Sequence, residues 1–162
     1  MVTVALLDVN VLVALFDPVH THHEAAHQWF DPNRQSGWAT CPITENGLVR
    51  VISSSSYPGR RTTVRDAIQR LTRFRKSSDH TFWPDSASLC DVLLIRPAPL
   101  VGHRQLTDVY LLALAVTRGG QLATFDRSIP LAAVDGAKTD HLAFLGEQRP
   151  TDRQGRQKKH RE

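Results

Sequence analysis

The chain has 162 residues, of which 41% are hydrophobic and 22% charged, with nine glycines and nine prolines spread along it. These proportions exclude collagen-like, coiled-coil and wholly disordered classes, and the length suits one domain with a single packed core. The net charge is +4 but uneven: residues 149–162 carry six basic and two acidic side chains, residues 60–76 carry seven and one, and removing both excesses leaves −6 for the rest. An acidic body with two basic appendages is expected, organised as a domain over 1–148 followed by a basic, disordered tail over 149–162.

The longest uncharged apolar run, 109–117, is far shorter than the roughly 20 residues of a membrane helix, so no membrane span is expected. The opening MVTVALLDVN has no basic region before its apolar stretch and carries an acid inside it, which argues against a signal peptide and for a cytoplasmic protein. Cys41 and Cys90 lack metal-ligand spacing and read as two buried thiols.

In chain order, residues 2–7 form a short apolar run ended by Asp8, as in a strand buried on both faces of a parallel sheet. Asn10 is placed to cap a helix through Val11, Leu12, Leu15 and Phe16, closed by Asp17-Pro18. A second helix is predicted over 21–30, up to the breaker Asp31-Pro32. A strand is predicted at 37–41, and Pro42 then suits the first turn of a helix carrying Ile43, Leu48, Val49 and Ile52.

After a Ser/Pro/Gly loop, helical spacing of Val64, Ile68, Leu71 and Phe74 predicts a helix over 62–76 with those residues facing the core. Prolines bracket a further predicted helix at 86–94. The segment LTDVYLLALAVT is the clearest helix, stopped by Gly119-Gly120. Strands follow at 121–125, ended by Asp126, and at 141–145. Alternating strands and helices imply an α/β sandwich around a mostly parallel central sheet, whose ligands bind beyond the carboxyl ends of the strands.

On this map Asp8 and Asp126 end strands, while Glu45 and Asp108 open helices, so all four can meet at one sheet edge. Each alone is explained as a cap or a helix-dipole partner. Together they would repel one another and raise each other's pKa unless a cation neutralised them. Oxygen ligands of this kind suit Mg2+ or Mn2+, which would support in-line hydrolysis of a phosphodiester. The basic segment 60–76, including Arg60, Arg61, Arg65, Arg70 and Arg73, would hold a polyanion that the acids alone repel.

Four segments, VTVALLDVNVLVALF, PITENGLVRV, GHRQLTDVYLLALA and ATFDRSI, resemble the successive motifs of PIN-domain ribonucleases, most closely the VapC toxins of bacterial VapBC toxin–antitoxin pairs. The resemblance runs from position 2 to about 145. It implies a PIN-like three-layer α/β/α sandwich, Asp8, Glu45, Asp108 and Asp126 as Mg2+ or Mn2+ ligands, and Asn10 and Thr124 as polar supports. It further implies an RNA substrate, a homodimer, and inhibition by a VapB-like antitoxin, and it assigns no role to the basic tail.

Competing readings remain open at this level. His23-Glu24-Ala25-Ala26-His27 is a literal HExxH, in which two histidines one turn apart would bind zinc with Glu45 as third ligand, although this leaves Asp8, Asp108 and Asp126 unexplained. An aspartyl phosphotransferase built on Asp8 lacks a second acid at position 10. A non-catalytic RNA- or partner-binding module would use the basic helix and tail and need neither Glu45 nor Asp108. His103 reads as a loop hydrogen-bonding residue, and Trp29, Trp38 and Trp83 as core or contact residues.

Overall fold

A computed structural model describes residues 3–146, and the basic tail expected at 149–162 lies outside them. Five short strands, β1 (Ala5–Leu7), β2 (Trp38–Thr40), β3 (His80–Phe82), β4 (Gln121–Thr124) and β5 (Leu142–Phe144), form one sheet in the order β3-β2-β1-β4-β5. Every pairing within it is parallel. The helices are α1 (Val9–Phe16), α2 (His23–Asn33), α3 (Pro42–Ser53), α4 (Val64–Phe74) and α5 (Leu106–Thr117). No described helix is long and apolar enough to cross a membrane.

Strand alternation divides the interior into two cores. Ala5 and Leu7 point into one with residues of α1 to α4, while Leu6 points into the other with the α5 run Val109–Ala115. β1 and β2 are therefore buried at every position, whereas the edge strands β3 and β5 are partly exposed. A three-layer α/β/α sandwich results, as expected. The closest helix contact is α1 on α3: a Cβ on Gly47 would stand 2.5 Å from a Val9 methyl, so only glycine admits this approach.

Several local expectations are corrected. Asp8, not Asn10, caps α1; its carboxylate accepts from the Val9 N–H at 2.6 Å, and Asn10 is an exposed residue of the first turn. α2 passes Asp31-Pro32 and ends at Asn33, whose amide donates to the Trp29 carbonyl at 2.6 Å in the turn that Pro32 disturbs. α4 buries Ala67 and Leu71, leaving Val64 and Ile68 exposed, because α4 is turned so that its alanine faces the core. The 86–94 helix does not form: Val92 and Leu93 are 86% and 83% exposed, and a short helix that buries little of its apolar face does not repay its nucleation cost. β3 was not anticipated, since a half-exposed edge strand needs no apolar run. Cys41 is buried but Cys90 is exposed.

Candidate active site

Three of the four acids meet at the carboxyl edge of the sheet. Asp8 follows β1, Asp126 follows β4, and β1 and β4 are adjacent, so the parallel register sets these two ends side by side. Asp108 reaches the same edge from the first turn of α5. Thr124 binds the strand ends together: its buried hydroxyl donates to Asp8 Oδ2 at 2.8 Å and accepts from the Asp126 N–H at 3.0 Å.

The charges of the three interact strongly. Burial, followed by the negative charges of Asp8 and Asp126, pushes the Asp108 carboxyl up to about 7, and a hydrogen bond ties it to Asp126. Asp8, 3% exposed, is raised chiefly by burial. Asp126 is lowered, chiefly because its Oδ1 accepts from the Ser128 hydroxyl at 2.6 Å and the Ser128 N–H at 2.7 Å. Asp108 is thus the proton-holding member of the group. Among the described residues no ion pair is made to any of the three.

Glu45, in the first turn of α3, is held differently. Its Oε1 accepts from the Thr40 hydroxyl at 2.7 Å and stands 3.0 Å from Arg75 Nη1, which also donates to Oε2 at 3.2 Å. Arg75 lies over the Phe82 ring at 5.0 Å. Thr40 Oγ1 also meets His80 Nε2 at 2.8 Å; because the hydroxyl proton goes to Glu45, His80 supplies the N–H here. Burial, then the Arg75 charge, lowers the His80 pKa to about 4, so the ring is neutral.

Thr40, Arg75 and His80 escaped the sequence reading. Two of them belong to strands whose pairing brings distant segments together, and nothing local marks Arg75 apart from its neighbouring arginines. Asn10 is two positions from Asp8 but exposed, and among the described residues its side chain makes no hydrogen bond to the acids.

The arginines expected to hold RNA sit elsewhere. Arg60, Arg61 and Arg70 line a separate cleft of about 640 Å3 with Phe16, Asp17 and Tyr57. Arg70 is engaged there, donating to the Phe16 carbonyl at 2.6 Å, while Arg65 and Arg73 are exposed on α4.

The HExxH histidines do not form a zinc site. Their rings are 4.5 Å apart, but His23 Nδ1 bonds the Ala14 carbonyl at 2.7 Å and His27 faces Asp31. Among the described residues no three His, Cys, Asp or Glu side chains converge tightly enough to enclose an ion, the acidic edge included. At that edge the carboxylates are instead turned onto Val9, Thr124, Ser128 and each other. In charge and donor type the three aspartates fit a hard divalent cation, which would replace the proton that Asp108 now shares with Asp126. His103 is exposed in a short 3-10 turn. Trp38 and Trp83 are core residues.

The PIN-domain family model matches residues 5–136. The chain is 48% identical over 141 residues to ribonuclease VapC44 of Mycobacterium tuberculosis, covering 87% of this chain and 99% of that protein. It is 45% identical over 132 residues to ribonuclease VapC39 of the same organism, covering 82% and 95%. Among solved structures, M. tuberculosis VapC20, described as a toxin that cleaves the sarcin-ricin loop, superposes with a TM-score of 0.58 at 16% identity over 80% of this chain and 95% of that one. VapBC2 from Rickettsia felis, solved with a promoter DNA fragment, gives 0.52 at 16% identity over 76% and 88%. These two likenesses concern the fold. Model match and sequence identity together establish that the chain belongs to the PIN-domain family, in its VapC branch.

Proposed function

We propose that this chain is a Mg2+- or Mn2+-dependent endoribonuclease, the cytoplasmic toxin of a type II toxin–antitoxin pair, acting as a homodimer and inhibited by a VapB-like antitoxin. The observation that carries the reading is the gathering of Asp8, Asp108 and Asp126 at one sheet edge, where burial first and the charges of Asp8 and Asp126 second bring Asp108 to about 7. A fold that only needed stability would not retain three mutually repelling carboxylates there. The names of the relatives supply the reaction class, and the exposed apolar side chains of Val92, Leu93 and Val101 suit a contact surface.

Within this reading Asp8, Asp108 and Asp126 hold the ion. Thr124 and Ser128 aim the oxygens of Asp8 and Asp126, and Asp108 would hold the ion as a deprotonated carboxylate. Glu45 would be a further ligand, and its carboxylate is held here by Arg75 and Thr40. A bound divalent ion supplies Lewis-acid stabilisation of the charge that develops on the phosphate and leaving oxygens. Arg60, Arg61, Arg65, Arg70, Arg73 and the tail serve more distant parts of the RNA by charge.

The test is incubation of total RNA with wild-type protein and with Asp8→Asn, under Mg2+, Mn2+, Zn2+ or EDTA. Cleavage by wild type with Mg2+ or Mn2+, absent with EDTA and in a folded Asp8→Asn variant, is expected. Undiminished cleavage by Asp8→Asn defeats the mechanism, and activity restored by zinc alone defeats the assignment of a hard Mg2+ or Mn2+ site.

A further inference from the structure

A cleft of about 490 Å3 is lined by residues including Val9, Asn46, Gly47, Arg50, Asp85 and Thr107, three of which adjoin an acid of the site in sequence. Chain connectivity ties it to the site: Val9 follows Asp8, Thr107 precedes Asp108, and Asn46 follows Glu45. The N-terminal ends of α1, α3 and α5 thus carry Asp8, Glu45 and Asp108 and contribute residues to the walls of this cleft.

Arg50 is the cation among these lining residues. Its Nη2 donates to Asn46 Oδ1 at 3.2 Å, one turn back along α3, which draws the guanidinium toward the end of the helix that bears Glu45. It is exposed, and among the described residues it forms no ion pair, with Asp85 or any other acid. An acidic edge repels a polyanion, so a strand entering here needs a positive group close by. The arginines of 60–76 that line a cavity at Phe16 and Tyr57 do not line this one.

We infer that Arg50 binds a backbone phosphate of the RNA substrate and holds the strand in this cleft, whose walls include the helix ends that carry Asp8, Glu45 and Asp108. A guanidinium suits the task because it presents paired donors to phosphate oxygens. The inference rests on the ribonuclease reading, assigns Arg50 a binding and positioning role, and separates local anchoring from the diffuse charge of 60–76.

Its test measures KM, kcat, salt dependence and melting temperature for wild type, Arg50→Gln and Arg50→Lys, using an RNA that wild type cuts in the total-RNA assay. Arg50→Gln is expected to raise KM on the order of tenfold with little change in kcat, as when one charge-assisted contact is lost. It should also reduce the log–log salt slope by about 0.7, the signature of one phosphate contact on a single strand. Arg50→Lys should keep the slope. Unchanged KM and slope in Arg50→Gln overturn the inference while leaving the ribonuclease reading intact. A lowered melting temperature with the slope preserved also overturns it, since Arg50 would then serve only α3. Failure of wild type to cut any RNA with any metal is the separate result that removes the ribonuclease reading itself.

Discussion

Glu45 and Asp108 occupy equivalent places, each in the first turn of a helix that begins near the carboxyl edge of the same sheet, yet their surroundings are opposite. Glu45 is met by Arg75 and the Thr40 hydroxyl. Asp108 is pushed up to about 7 by burial and by the two aspartates it meets. Strand order accounts for the difference. β2 and β3 form the Glu45 side, where the end of α4 supplies Arg75 and β3 supplies His80 and Phe82. β1 and β4 form the other side, and each ends in an acid. Folding has given one carboxylate a cationic partner and set the other beside two like charges.

The largest expected effect separates activity from stability at Asp108. Asp108→Asn should lower RNA cleavage by about a hundredfold or more, since in the proposed mechanism it removes an oxygen donor to the ion. In metal-free protein it should also raise the melting temperature. The sign follows from linkage: between pH ~4 and 7 the folded protein keeps a proton at Asp108 that the unfolded chain has lost, so wild-type stability declines as pH rises through that window. Asp108→Asn should flatten that decline, as read by melting curves across the window. A variant that loses activity and also melts lower would show that Asp108 is not held under repulsion.

On the compensated side the prediction reverses. Arg75→Ala should destabilise the protein by about 1–2 kcal/mol in denaturant titrations, because it leaves the Glu45 carboxylate with Thr40 alone and strips the cation from Phe82. The cost should shrink when Glu45→Gln is already present, and a full cost in that background would deny the coupling.

The smallest effect belongs to His80. Its folded pKa of about 4 lies below the ordinary 6.5, so between those values the unfolded chain takes up a proton that the folded one refuses. This contribution to stability is full above pH ~6.5 and is lost as pH falls toward 4. His80→Asn should lessen that acid-side loss in the same melting series. The two halves of the edge therefore respond to acid in opposite directions, and identical pH profiles for Asp108→Asn and His80→Asn would erase the contrast between them.

How much of this was legible without coordinates varies by residue. Asp8 and Asp126 stood out because an apolar run ending in an acid marks a buried strand's carboxyl end. Asp108 was marked by the helix it opens. The pattern failed where burial was decided by partners far along the chain: Val64 and Ile68 have helical spacing but stay exposed, and in 86–94 Leu89, Val92 and Leu93 stay exposed while Ala87 and Leu94 reach the core. Arg75 and Arg50 could not be told from other arginines, since what separates them is the neighbour each one meets.

The amino-acid order alone determined the alternation of strand and helix and the chemical type of the edge, because hydrophobic periodicity, Pro, Gly and capping residues act within a few positions. Only tertiary structure decided which acids would share a charge problem and which would be relieved of it. Electrostatic coupling depends on distance and burial, and both were set when β4 paired with β1, 116 residues from Asp8 to Thr124 along the chain but 2.8 Å between their oxygens.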